Sequence, residues 1–196
     1  MAPTHPSSSA GASRGFGRAI AVELGKVVGA GSTLLLLARN KELLEVTRDM
    51  CRDVRPGLAV EVQSLDLSTA DKDAFEKVVR AHQGSADHEV AMVVHNAGTL
   101  GQDGRRVTVR HLQALSGTGT STDTVHTCPS LFWQDLTDME EMSAYYRVNL
   151  FHVICLNSVF TSVFPKSRMA YINISSILAL QPLTTWAHYC GGKAAR

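Results

Sequence analysis

The chain has 196 residues, of which 44% are hydrophobic and 19% charged, with 19 Lys plus Arg against 18 Asp plus Glu for a formal charge of +1. Such a composition suits one globular domain (1–196) with its own core, and the balanced charge excludes a general nucleic-acid binder, which needs a basic surface. No apolar run reaches the roughly 20 residues of a bilayer span, and Met1 to Ala10 lacks the apolar centre of a secretory signal.

The first ten residues, MAPTHPSSSA, are a poor match to the apolar strand expected to open a doubly wound sheet, because Pro and Ser do not bury like a central strand. An irregular or poorly formed strand is therefore expected over Thr4 to Ala10. A helix is predicted over Gly15 to Val28, stopped by Gly29, Ala30 and Gly31. Thr33 to Ala38 (TLLLLA) is a continuous apolar run, as in a strand buried on both faces. Helix Lys41 to Val54, strand Ala59 to Leu65 and helix Ser68 to His82 follow, the last opening on Ser68 and Asp71 in capping-box spacing. Strand Glu89 to His95 comes next. Asp103 to Ser130 is polar, rich in Ser, Thr and Gly, and shows neither structural period; it reads as an irregular insertion. One long helix is predicted over Met139 to Phe164, then strand Arg168 to Ser175 and a helix opening near Thr185. Strands alternating with helices imply an α/β, Rossmann-like doubly wound parallel sheet, here incomplete. Cys51, Cys128, Cys155 and Cys190 lie far apart without a C-x-x-C pair, so reduced thiols in a cytosolic protein are expected, with no metal site.

The chemistry concentrates in a few places. Gly11, Ala12, Ser13, Arg14, Gly15, Phe16 and Gly17 form a glycine loop just before a helix, where a backbone can approach a pyrophosphate and the helix N-terminus offers free N–H groups. Arg39 and Asn40 end the next strand, where NAD-specific folds place a carboxylate; a guanidinium there, helped by Arg14, favours the extra phosphate of NADP(H). Read singly, each arginine is a solvated surface cation. Asp66, followed by Leu67, could accept from an adenine amino group or cap a helix. Asn96 of the Asn96-Ala97-Gly98 tripeptide could tie neighbouring strands beside a cofactor. Tyr189 and Lys193 stand one helical turn apart, where an ammonium would favour the phenolate. Ser176, with Ile177 after it, ends a strand on the side where open α/β sheets bind ligands. Asn149, within the long helix, could hold a proton-relaying water through its amide, or be a surface or interface residue.

Together GASRGFG at 11–17, HNAG at 95–98, NISS at 173–176 and YCGGK at 189–193 resemble the short-chain dehydrogenase/reductase family, in its order and approximate spacing. The stretches GASRGFGR, LLARN, INISSILALQP and WAHYCGGKAAR are similar to members that reduce pterin side-chain carbonyls in making tetrahydrobiopterin. The resemblance implies a cytosolic homodimer, paired through the long helix. It implies NADPH along Gly11 to Gly17, Arg39, Asn40, Asp66, Leu67, Asn96 and Lys193, and a small carbonyl substrate held by Ser176, Ile177 and Tyr189. Tyr189 would protonate the carbonyl oxygen and Lys193 would position cofactor and tune the tyrosine.

Several departures accompany the match. The opening strand is degenerate, His95 stands where the family usually has a second Asn, and further strands and a pterin-anchoring carboxylate would follow Arg196, so a fragment is expected. Besides the pterin reductase, another short-chain carbonyl or steroid reductase and a non-catalytic NADP-binding remnant remain open.

Overall fold

The computed structural model describes residues 6–83, 88–100, 139–183 and 186–196, the side chains of 6–9 excepted. The 103–130 insertion lies outside these residues. Five strands form one parallel sheet: β1 (Pro6–Ala10), β2 (Thr33–Ala38), β3 (Ala59–Ser64), β4 (Val90–His95) and β5 (Arg168–Asn173), in the order β3-β2-β1-β4-β5. The helices are α1 (Gly15–Val27), α2 (Lys41–Val54), α3 (Lys72–Ala81), α4 (Met139–Tyr146), α5 (His152–Val163) and α6 (Ala187–Ala194). None of the described helices is long and apolar enough to cross a membrane.

The leucine run of β2 explains the layering. Successive side chains of a strand point to opposite faces, so Leu34 and Leu36 pack with Ala21, Leu44 and Cys51 of α1 and α2. Leu35 and Leu37 pack on the other face with Phe75 and Val79 of α3 and Leu156, Val159 and Phe160 of α5. A strand sandwiched in this way has no polar face, which is why the run shows no alternation.

β1 departs from expectation. Rather than being irregular, it pairs in parallel with β2 from Pro6 opposite Thr33 to Ala10 opposite Leu37, and with β4 from Ser7 opposite Met92 to Ala10 opposite His95. A ladder is built from backbone groups, and β2 and β4 supply the apolar side chains that β1 lacks. Pro6 stands at the first strand position, where its missing N–H is tolerated.

Two helices also differ from their predicted forms. α3 starts at Lys72, not Ser68: Asp71 is its N-cap, accepting from the Ala74 N–H at 2.9 Å, whereas the Ser68 hydroxyl donates to Asp66. The long helix is interrupted by a π turn, Arg147–Phe151, with Asn149 fully buried inside it. Single π turns within α-helices often mark functional sites.

Beneath that turn lies a buried histidine pair. His95, fully buried, shares a 2.7 Å hydrogen bond between Nε2 and Asn157 Oδ1, and its ring centroid is 5.9 Å from that of His152. Neither His152 ring nitrogen has a hydrogen-bond partner among the described residues. Burial is the main cause that lowers both rings, His95 to about 4 and His152 to about 3, with His95 and Arg196 adding to the effect on His152; the Val148 and Arg147 carbonyls oppose it only weakly.

Two expectations follow. Ser8→Pro deletes one ladder N–H from the central strand and leaves a buried carbonyl without a donor, costing about 1–3 kcal/mol or more in urea unfolding. Because both imidazoles are neutral when folded and bind protons when unfolded, stability falls as pH drops from about 6.5 toward 4, by up to about 1.4 kcal/mol per pH unit for each ring. His152→Phe removes one ring's share of that slope and leaves stability at pH 7 within about 1 kcal/mol of the parent; an unchanged slope in melts across this range would contradict the assignment.

Candidate active site

The loop from Gly11 to Gly17 is pinned where it leaves β1. The Gly11 N–H donates to the Leu37 carbonyl at 2.8 Å, and the Ala97 N–H donates to the Ala10 carbonyl at 2.8 Å. Gly11 has φ +83°, and a Cβ there would lie 2.9 Å from the Ala97 backbone. A Cβ at Gly17 would overlap the Gly11 carbonyl oxygen and the Asn96 amide. Asn96 Nδ2 donates to that same Gly11 carbonyl at 3.2 Å, so its side chain fastens the loop after β4 to the loop after β1.

α1 opens immediately beyond. Its N-cap, Arg14, makes no side-chain capping bond and its first turn holds no acidic residue, whereas Asn40 and Asp71 cap α2 and α3. Helix-start N–H groups without a side-chain cap suit an anion.

A cleft of about 720 Å³ opens over these ends of the strands. Gly11, Ser13, Arg14, Arg39, Asn40, Asp66, Leu67 and Asn96 line it. Four other residues of the glycine loop do not. Ala12 is fully buried beneath the loop, Gly17 is sealed between Gly11 and Asn96, and Gly15 and Phe16 are exposed, Phe16 at 63%. Leu43, Leu65, Thr99 and Val148 line the cleft without having been anticipated; nothing in their types marks them, since the contribution depends on where the chain turns.

Arg14 and Arg39 are exposed at this cleft, and neither forms an ion pair with a described residue. Asn40 spends its carbonyl oxygen on the Leu43 N–H at 2.8 Å. Asp66 Oδ1 accepts from the Ser68 hydroxyl at 2.7 Å and its N–H at 2.9 Å. These bonds, aided by Arg39, hold the Asp66 carboxyl below the usual range.

The second group of residues gathers beyond the far end of the cleft. Ser176 follows β5 and caps a 3₁₀ turn, Ile177–Ala179, its Oγ accepting from the Leu178 N–H at 3.2 Å. A hydroxyl used as acceptor keeps its proton to donate elsewhere. Ile177 beside it is 62% exposed. The Ser175 hydroxyl donates to the Lys193 carbonyl at 2.7 Å, which ties α6 to the end of β5. Lys193 is buried; its Nζ donates to the Ile174 carbonyl at 2.9 Å and lies 5.8 Å from the centre of the Tyr189 ring. Burial first, and the nearby Arg196 second, bring this lysine down to about 8. The Tyr189 ring packs edge-on to Trp186 at 5.5 Å, and no hydrogen bond joins its hydroxyl to a described residue.

Gly98 connects the two groups. It lines the cleft, and a Cβ on it would lie 3.1 Å from Asn149 Oδ1, 3.6 Å from Arg196 Nη2 and 3.7 Å from Lys193 Nζ. Ser176, Ile177, Tyr189 and Lys193 do not line the cleft themselves.

Asn149 is fully buried rather than at the surface, and its side-chain amide is engaged with backbone groups. Its Oδ1 accepts from the Thr99 N–H at 3.1 Å, and its Nδ2 donates to the carbonyls of Thr99 at 3.1 Å and Tyr145 at 3.0 Å. With both amide hydrogens on backbone carbonyls, the side chain fastens the loop after β4 to the long helix. Its own carbonyl oxygen accepts from Arg196 Nε at 2.6 Å. Arg196 was not anticipated, because its position next to a Y-x-x-x-K segment does not show that its side chain folds back.

Comparison with known proteins agrees with this architecture. The family described as short chain dehydrogenase matches residues 9–196. The chain is 32% identical over 190 residues to a sepiapterin reductase of Xenopus laevis, covering 95% of this chain and 62% of that protein. It is 34% identical over 192 residues to a sepiapterin reductase of Bos taurus, covering 95% and 61%. It thus spans under two thirds of the length of these curated relatives. Among solved structures, a short-chain dehydrogenase from Sphingobium yanoikuyae in complex with NADPH superposes with TM-score 0.66 at 24% identity, over 97% of this chain and 60% of that one. One from Shigella flexneri 2a complexed with NADP gives TM-score 0.71 at 20% identity, over 100% and 68%. On the match over 9–196, the chain belongs to the short-chain dehydrogenase family.

Proposed function

We propose that the chain is an NADPH-dependent carbonyl reductase of the sepiapterin reductase type, acting on the side-chain carbonyls of a pterin in tetrahydrobiopterin biosynthesis. The observation that carries this reading is Gly98, where a glycine-floored cleft meets the Lys193 ammonium. The relatives named above are sepiapterin reductases, and two structural neighbours hold NADPH and NADP.

The residues present fit a phosphorylated dinucleotide. Gly11 at the cleft and Gly17 behind it leave no room for a Cβ, the α1 N–H groups have no side-chain cap, and Arg14 and Arg39, free of salt bridges with described residues, stand open to a further phosphate. Asn40, whose amide N–H groups remain after capping, would assist Arg39; Asp66 and Leu67 would bound the adenine end and Asn96 the middle. When bound, the cofactor supplies the hydride that reduces the carbonyl carbon.

The chain's own part is to hold the carbonyl and deliver a proton. The Ser176 hydroxyl donates to the substrate oxygen, with Ile177 as an apolar neighbour. Tyr189 gives its phenolic proton to the oxygen as negative charge develops there, and Lys193 stabilises the resulting phenolate and replaces the proton. The cytosol is the proposed setting, and a homodimer through the long helix the proposed assembly; Phe151 and Ile154 on that helix are 52% and 59% exposed. A second reading, a carbonyl reductase for bulky apolar substrates such as steroids, draws on the exposed Ile177, Leu180 and Leu183 near Ser176. A substrate panel run with NADPH separates the two.

Tyr189→Phe is expected to lower kcat for sepiapterin reduction by about 10²- to 10⁴-fold while NADPH still binds. A variant as active as the parent would remove this mechanism. Arg39→Ala should weaken NADPH binding by about 10- to 100-fold and leave NADH binding unchanged, read by fluorescence titration of each cofactor.

A further inference from the structure

Three backbone carbonyls from three separate pieces of chain meet on one guanidinium. Arg196 donates through Nε to Asn149 of the π turn at 2.6 Å, through Nη2 to Ala97 of the loop after β4, and through Nη1 to Ile174 after β5 at 3.4 Å. The Ile174 oxygen is also the acceptor for Lys193 Nζ at 2.9 Å. Two cations thus share one oxygen, and neither meets a carboxylate among the described residues. An inward-folded arginine ordinarily has an anionic partner; here only carbonyl dipoles hold it.

We infer that Arg196 is a positioning residue for Lys193, clamping the ends of β4 and β5 and the π turn around the lysine head at Gly98. The inference rests on the reductase reading only for its kinetic readout. Like charges on a shared acceptor favour release of the ammonium proton, and Arg196 is the second cause, after burial, of the low Lys193 value of about 8. The other groups around this head are three tyrosines, one histidine and one amide. Tyr189 stands on its own helix, Tyr146 and Tyr145 of α4 pack on Gly191 and Gly192, His188 lies against both tyrosines, and the Asn149 amide faces it from the π turn. No carboxylate near the ammonium offsets the guanidinium among the described residues.

The test measures the rate of Lys193 acylation by acetic anhydride in the full chain across pH, read by mass spectrometry. A midpoint near 8 is expected in the parent, rising by roughly one pH unit in Arg196→Gln, with Arg196→Lys retaining the low value because it keeps the charge. The alkaline limb of the NADPH-driven rate should move with the midpoint, and Arg196→Lys should lose kcat because an ammonium cannot span three carbonyls. A Gln variant that titrates like the parent overturns the inference, as does a parent lysine that titrates like an exposed one. Should Arg196→Gln not fold, Arg196→Met supplies a second uncharged side chain of similar volume. Should that fail too, a rise in the Arg196→Lys midpoint to that of an exposed lysine is the overturning result. If the parent shows the low midpoint but reduces no carbonyl, the reductase reading fails and this inference stands.

Discussion

At Gly17 the loops leaving β1 and β4 come together with only the Asn96 side chain between them. The carbonyl of Gly11 and the amide of Asn96 occupy the space a Cβ would need, and the Ala97 N–H closes on the Ala10 carbonyl. This contact has two consequences. It leaves the chain at Gly11 and Gly17 no room for a side chain, and it fixes where the chain travels after β4. Because Thr99 is then held on both its N–H and C=O by Asn149, the position of the long helix is set by the same contact.

From that point the site is organised by backbone carbonyls. Asn96, Asn149, Ser175, Lys193 and Arg196 each end on a main-chain oxygen. Main-chain oxygens are themselves held by secondary structure, so the heads of these side chains inherit the rigidity of the sheet. Arg14 and Arg39 at the cleft and Lys193 and Arg196 beyond Gly98 form no salt bridge among the described residues, although Arg39 acts at longer range on the Asp66 carboxyl. In a chain whose formal charge is only +1, this leaves a positive field concentrated where an anionic ligand would enter.

The sequence made the doubly wound sheet legible because its signals are covalent and local. TLLLLA reads as a strand with two buried faces, and glycines before a helix read as a tight loop, whatever the rest of the chain does. β1 is not legible from composition, because composition does not measure backbone pairing. PSSSA has little apolar surface of its own, but its register depends on backbone groups lined up by β2 and β4. The start of α3 is ambiguous in the sequence because Ser68 and Asp71 are both good caps, and only the Asp66 turn shows that Ser68 is already engaged. Tyr189, Lys193 and Ser176 could be picked out by type and spacing. The roles of Asn149 and Arg196 could not, since each depends on a π turn that leaves no mark in hydrophobic periodicity.

That turn also governs which way the long helix looks. An α-helix advances about 100° per residue, so one extra residue within a turn rotates everything downstream by roughly that angle relative to everything upstream. Upstream, Tyr145 faces α6 and packs on Gly192 and His188; downstream, Leu156, Val159 and Phe160 face the sheet and α3. A uniform helix has a single inward stripe. The change of phase at 147–151 gives this one two, so that one rod closes the hydrophobic layer and also braces the helix that carries the tyrosine and lysine.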